Sequence, residues 1–242
     1  MRRASTTPLP RSARPFGFAA LAVAAALTGC KPYVEGNCVN GSEVRTPTQT
    51  FQGLRVESAI QATVNAGAAQ PKLVVSGDAN LLPYIHAEVV PDPGSVPAGV
   101  LRLWIEVPAG NFSICIPPLA VLDTGELSYV GAEGDSHVDL SGLATPLLSV
   151  EASGKSAVNV AGAGGGRIQV VASDATVDAA AYPVTAGAQV DLTSGARAEL
   201  HSDAAVAGTA GAGCTLYNFG TDACTAVVAS GTPPPTILGP VP

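Results

Sequence analysis

The chain has 242 residues, and its 12 lysines and arginines stand against 19 aspartates and glutamates, a formal net charge of −7. Nucleic acid is thereby excluded as a natural partner, because binding phosphates needs a clustered basic surface that this chain lacks. The length is compatible with one elongated domain, or one domain plus tails.

The first 29 residues have the three parts of a secretory signal: a basic start with Arg2, Arg3, Arg11 and Arg14, an apolar stretch from Phe16 to Leu27, and then small residues. The apolar stretch makes a helix of only about 18 Å, too short for a hydrocarbon core of roughly 30 Å, so a permanent transmembrane anchor is not expected. Leu27-Thr28-Gly29-Cys30 matches the bacterial lipobox. Leu27, Thr28 and Gly29 would be read by the lipoprotein signal peptidase, and the Cys30 thiol would accept a diacylglycerol that anchors the chain to a membrane. Lys31 follows, where the usual inner-membrane retention signal is an Asp, so the outer membrane is the expected location. Cleavage before Cys30 removes four basic residues and no acidic ones, leaving 8 positive and 19 negative charges, a net of −11.

With Cys30 consumed by lipid, Cys38, Cys115, Cys214 and Cys224 remain, an even number for an oxidising compartment. Three connectivities are open. Cys214 with Cys224 is favoured because the loop is short, which leaves Cys38 with Cys115. No cysteine or histidine spacing of the zinc type occurs, and no cofactor or metal is expected.

Residues 30–50 are polar, without hydrophobic periodicity, and read as a tether. Short runs rich in valine, leucine and isoleucine follow, bordered by glycine, serine, asparagine and aspartate. Leu54 to Val56, Leu73 to Val75, Val100 to Val107, Ser113 to Ile116, Leu147 to Val150, Ala157 to Val160, Ile168 to Val171 and Gln189 to Leu192 are predicted strands. In the third, Leu101, Leu103, Ile105 and Val107 alternate with Arg102, Trp104 and Glu106, so one face should be buried. No stretch after residue 30 has helical periodicity. Residues 232–242 contain five prolines and read as an extended tail.

The second half is repetitive. Glu151-Ala-Ser-Gly, Val171-Ala-Ser-Asp and Leu192-Thr-Ser-Gly each place a turn between two strands, and Ser153, Ser173 and Ser194 lie 20 and 21 residues apart. A period near 20 with small residues at each corner suits a solenoid, and abundant alanine keeps its interior narrow. The fold class is therefore all-β, a right-handed parallel β-helix over residues 51–231 with rungs of about 20 residues; a β-sandwich is the alternative.

The run Phe51-Gln-Gly-Leu-Arg-Val-Glu-Ser-Ala-Ile-Gln-Ala-Thr-Val, then Gly77-Asp78-Ala79-Asn80-Leu81-Leu82, then Val100-Leu-Arg-Leu and the Ser-Gly repeats together resemble the auto-transporter adhesin head domain with the GIN motif, a domain of unknown function. The likeness spans about residues 51 to 230. It implies export, often as a lipoprotein, and a β-helical adhesin head. The chain departs from the pattern at Ser173-Asp174, where Ser-Gly is expected, and in the segment Cys214 to Cys224.

Candidate chemistry is sparse. Asp135-Ser136-His137-Val138-Asp139 gathers the residue types of a serine hydrolase, but in a strand Ser136 points away from His137 and no G-x-S-x-G elbow is present. Gly162 to Gly166 lacks the Lys-Ser/Thr of a phosphate loop and reads as a turn. Asp78 and Asn80 are calcium-type ligands, or a side-chain-to-backbone turn, the commoner use of these residues. Trp104 and Tyr84 are possible sugar platforms but suit packing better. No catalytic residue is assigned. The expectation is a non-enzymatic, lipid-anchored envelope protein that presents an adhesive or ligand-binding side to a glycan or other cell-surface ligand. The alternatives are an accessory protein of the envelope and, third, a polysaccharide-acting enzyme.

Overall fold

In the computed structural model, residues 33–91, 99–107 and 111–240 are described. The lipobox, Leu27 to Cys30, lies outside them. Among them no helix is long and apolar enough to cross a membrane.

The chain is a parallel β-solenoid of two facing sheets. A short strand β1 (Tyr33–Glu35) and a longer β2 (Asn40–Arg45) precede the first rung, β3 (Gly53–Val56) and β4 (Gln61–Ala66). The chain then leaves the stack. It forms β5 (Lys72–Asp78), a 3₁₀ turn at Leu82–Tyr84 and β6 (Ile85–Val90), and returns through β7 (Val100–Ile105), β8 (Asn111–Ser113) and β9 (Leu119–Thr124). Six regular rungs follow: β10 (Tyr129–Glu133) with β11 (His137–Leu143), β12 (Leu147–Ser153) with β13 (Ala157–Gly162), β14 (Arg167–Ser173) with β15 (Thr176–Val184), β16 (Ala188–Thr193) with β17 (Arg197–Ser202), β18 (Val206–Ala210) with β19 (Thr215–Asn218), and β20 (Ala226–Ala229) with β21 (Thr236–Leu238).

The first sheet runs β20-β18-β16-β14-β12-β10-β3-β7-β6, and the second runs β2-β5-β9-β4-β11-β13-β15-β17-β19-β21. The rung β3–β4 is therefore flanked on one side by β7 and β9 and on the other by β10 and β11, all later in sequence. Among the described residues the antiparallel pairs are β2 with β5, β5 with β9 and β6 with β7, and they close that end of the stack.

Period-2 alternation builds the interior. Leu101, Leu54, Val130, Val150, Val170 and Val190 lie in one register across the first sheet and are buried. Ala62, Val138, Val158, Val177, Ala198 and Leu216 do the same in the second. Each fully buried valine or leucine contributes roughly 1.5–3 kcal/mol. Leu101, Leu103, Ile105 and Val107 are buried as the alternation predicts.

The repeat is real, and its irregularity has a cause. Ser153 pairs with Ser173, and Ser173 with Thr193 rather than Ser194. Ala157 pairs with Thr176 and Thr176 with Arg197, so the corner at Asp174-Ala175 is one residue shorter than its neighbours. Asp174 supplies its left-handed turn at φ 52°, which is how Ser-Asp stands in for Ser-Gly.

Both ends carry more regular structure than the sequence suggests. Within the expected tether, β2 pairs with β5. Within the proline-rich end, Thr236–Leu238 pairs with β19, because the prolines flank those three residues instead of interrupting their hydrogen bonds. The expected strand Ser113 to Ile116 stops at Ser113, where the chain turns towards Asp78.

Cys38 and Cys115 form a disulfide across 77 residues. The second expected bridge is absent: Cys214 and Cys224 are free, buried thiols. Cys214 immediately precedes β19 and Cys224 lies beyond its far end, so the strand between them, roughly 13 Å at about 3.3 Å per residue, exceeds the about 7 Å that a disulfide tolerates. Cys214 instead fills a corner column. Its carbonyl accepts from Thr236 at 2.8 Å, as those of Ser136 and Ser156 accept from the following rung.

Candidate functional site

Outward-facing side chains distinguish one region of the solenoid. On the outer face of the first sheet, Glu88, Arg102, Arg55, Gly131 and Glu151 lie in one register across β6, β7, β3, β10 and β12. Arg55 alternates with buried Leu54 and Val56, and Arg102 with buried Leu101 and Leu103, so the inward apolar pattern forces both guanidinium groups outward.

Arg102 grips Glu57 with two bonds, Nε to Oε1 at 2.7 Å and Nη2 to Oε2 at 2.8 Å. Its guanidinium also lies 4.6 Å from the centre of the Trp104 ring, on which His86 stacks with centroids 5.0 Å apart. Arg55 donates through Nη2 to the Tyr129 hydroxyl at 2.6 Å and reaches Glu151 at 3.3 Å and Glu133 at 3.7 Å. The Tyr129 hydroxyl in turn donates to Glu151 at 2.7 Å. Burial, opposed by Arg55 and assisted by the hydrogen bond to Glu151, holds the Tyr129 pKa far above that of a free phenol, so Tyr129 remains a neutral donor.

Gly131 makes this packing possible. A Cβ there would lie 2.7 Å from the Tyr129 hydroxyl oxygen and 3.3 Å from Arg55 Nε. Arg55, Glu57, Val90, Pro91, Val100, Arg102 and Glu133 line a cleft of about 410 Å³. That volume falls within the roughly 300–1,000 Å³ of small-ligand sites.

The carboxylates of the cleft are all engaged. Glu57 is held by Arg102, and Glu133 and Glu151 lie within ion-pair reach of Arg55, so each carboxylate is tied to an arginine rather than presented as a base or nucleophile. Guanidinium N–H groups, carboxylate oxygens and an apolar wall converge at one place, with the two arginines on β3 and β7, strands paired on both sides, and Val90 on the edge strand β6.

Of the residues singled out in the sequence, Trp104 flanks the cleft through Arg102 and the others lie elsewhere. Ser136 is buried and donates to the Val56 carbonyl at 3.1 Å, whereas His137 faces outward and meets Asp139 at 3.0 Å, so the two lie on opposite faces. Asp78 accepts from the backbone N–H of Cys38 at 2.9 Å, Cys115 at 2.8 Å and Ile116 at 3.0 Å. Asn80 accepts from Asn37 at 3.0 Å and donates to the Glu35 carbonyl at 2.7 Å. Both are fasteners of the N-terminal segment. Among the described residues no group of three or more histidines, cysteines, aspartates or glutamates is arranged to hold a metal ion. Gly162 to Gly166 turns the corner between β13 and β14. Trp104 stands on the outer face and Tyr84 packs against the core, so the two form no common platform.

Sequence reasoning missed Arg55, Glu57, Glu133, Tyr129 and Glu151 as a group. The alternation in β3 signals that Arg55 faces outward, but its neighbours come from strands far away in sequence.

A family model described as "Putative auto-transporter adhesin, head GIN domain" matches residues 50–221. The chain belongs to this family. The matched segment of this GIN protein includes Arg55, Glu57, Arg102, Tyr129, Glu133 and Glu151, while the last rung, β20 with β21, lies beyond it. Solved structures share the GIN chain's fold. One is a "putative adhesin" from Bacteroides fragilis, with TM-score 0.61 and 11% identity, covering 84% of this chain and 97% of that one. A "putative lipid binding protein" from Parabacteroides distasonis has TM-score 0.61 and 15% identity, covering 82% and 76%. A "putative adhesin" from Parabacteroides merdae has TM-score 0.53 and 14% identity, covering 78% and 90%. No curated protein matches the GIN chain.

Proposed function

We propose that this GIN protein is an exported envelope lipoprotein, anchored through Cys30, that acts as a non-enzymatic adhesion module and binds a glycan through the Arg55–Arg102 cleft. The observation that carries the reading is the outward cluster itself, in which two arginines, three glutamates and Tyr129 interlock on a rigid sheet. The family's description and the names of two of the three structural relatives, each a "putative adhesin", support it; the third is named a "putative lipid binding protein". A polysaccharide-acting enzyme is disfavoured by the same cluster, whose carboxylates are engaged by arginine. The lipobox and Lys31 favour the outer membrane.

Two experiments test the reading. The full chain, purified in mild detergent, is titrated against a glycan panel and whole cells, beside an Arg55→Ala, Arg102→Ala double variant. Saturable binding that weakens at least about tenfold in the variant, with an unchanged far-UV spectrum, is the expected result. Absence of binding to every surface overturns it. Anchoring is tested by Cys30→Ser, which should move the protein from the membrane pellet to the soluble fraction. Retention in the pellet would refute the lipid anchor.

A further inference from the structure

The geometry points to a neutral, polyhydroxylated glycan as the ligand of this cleft and away from an acidic one, a conclusion that rests on the adhesive reading above. The cleft wall carries Arg55 and Arg102 against Glu57 and Glu133, and Glu151 stands behind Arg55 through Tyr129. Three formal negative charges therefore surround two positive ones. Both guanidinium groups are already engaged, Arg102 by the two-bond grip of Glu57 and Arg55 by Tyr129, Glu151 and Glu133.

A uronate, sialate, sulfate or phosphate would have to displace a glutamate from its arginine and then sit beside the carboxylate it displaced. Like charges at that separation repel, and loss of the pair leaves the glutamate uncompensated. A sugar hydroxyl meets no such conflict. It donates to a carboxylate oxygen and accepts from a guanidinium N–H that the pair leaves free, since Arg has five donors and Arg102 spends two on Glu57. Val90 and Pro91 supply apolar surface for the C–H faces of a sugar ring. The whole chain reinforces the choice, because its net charge, −7 as a full sequence and −11 after cleavage before Cys30, repels polyanions at long range.

The test uses matched pairs that differ only in oxidation at C6: β-1,4-mannan against β-1,4-polymannuronate oligomers, and polygalacturonate oligomers against the same oligomers with their carboxyl groups reduced to alcohols. Each is titrated into the full chain in detergent at about 50 and 500 mM salt. The neutral member of a pair should bind at least about tenfold more tightly, with less than about a twofold change between the two salts. Glu133→Lys, at a half-exposed position on the cleft lip, reverses the local balance of charge. It should gain at least about tenfold for the uronate oligomers with an unchanged melting curve. Equal or tighter binding of uronates by the unsubstituted protein overturns the inference and leaves adhesion standing, as does failure of Glu133→Lys to gain. Binding of neither class overturns the adhesive reading and this one with it.

Discussion

Asp78 is a buried carboxylate whose hydrogen bonds come from backbone N–H groups. Burial works to raise its pKa, and the bonds from Ile116, Cys115 and Cys38 outweigh it, so the pKa lies below that of a free aspartate. A depressed folded-state pKa contributes stability above the unfolded value, near 3.9, and that contribution is lost as pH falls through the folded one. Thermal melts below about pH 4 should therefore show a loss of stability that Asp78→Asn, already lacking the charge, does not show. A variant whose melts parallel the unsubstituted protein across that window would refute the assignment. Cys224 behaves oppositely. Burial, then the charge of Asp222, pushes its thiol up to about 11, so little thiolate forms at neutral pH. Iodoacetamide should leave Cys214 and Cys224 unlabelled in the folded protein and label both after unfolding without reductant. Absence of label on both after unfolding would restore the second disulfide.

At the scale of strands and rungs, the interior alternation was legible because a period of two needs only local sequence. The strands around Leu54, Leu73, Leu148, Val158, Ile168 and Val190 all stand where the valine and leucine runs put them. What was not legible is which strand lies beside which. Arg55 and Tyr129 meet because β10 pairs with β3, and nothing near either residue encodes that pairing. The rungs respond to substitution according to their contacts. Leu192→Ala should cost about 2–5 kcal/mol in urea denaturation with an unchanged m-value, since Leu192 is fully buried. Gly208 and Gly195 both have positive φ, but an added Cβ at Gly208 would lie 1.8 Å from the Val190 carbonyl oxygen, whereas at Gly195 nothing lies within 4 Å. Gly195→Ala should cost about 1–2 kcal/mol, the penalty of the left-handed backbone alone, and Gly208→Ala distinctly more. Equal losses would refute that contact.

Across the whole molecule, the Cys38–Cys115 bridge ties the N-terminal segment to the loop after β8, with Asp78 bonded to both sides of it. A loop of this length favours the folded state by about 4 kcal/mol on chain-entropy grounds. Cys38→Ser with Cys115→Ser should lower the melting temperature accordingly, and a disulfide reductant should do the same to the unsubstituted protein. The displaced rung β3–β4 has a consequence in time. During synthesis it emerges before either neighbour exists, so assembly cannot run as a zipper from the N-terminus. Contacts between the later rungs are near in sequence and those of β3 with β7 and β10 are distant, so the later rungs are expected to close faster, and the first rung is complete only when β7 and β10 stand on both sides. The proposed ligand cleft draws its walls from those same non-consecutive strands, so on the proposed reading binding competence would report on completed folding: a chain arrested part-way would have no cleft to offer.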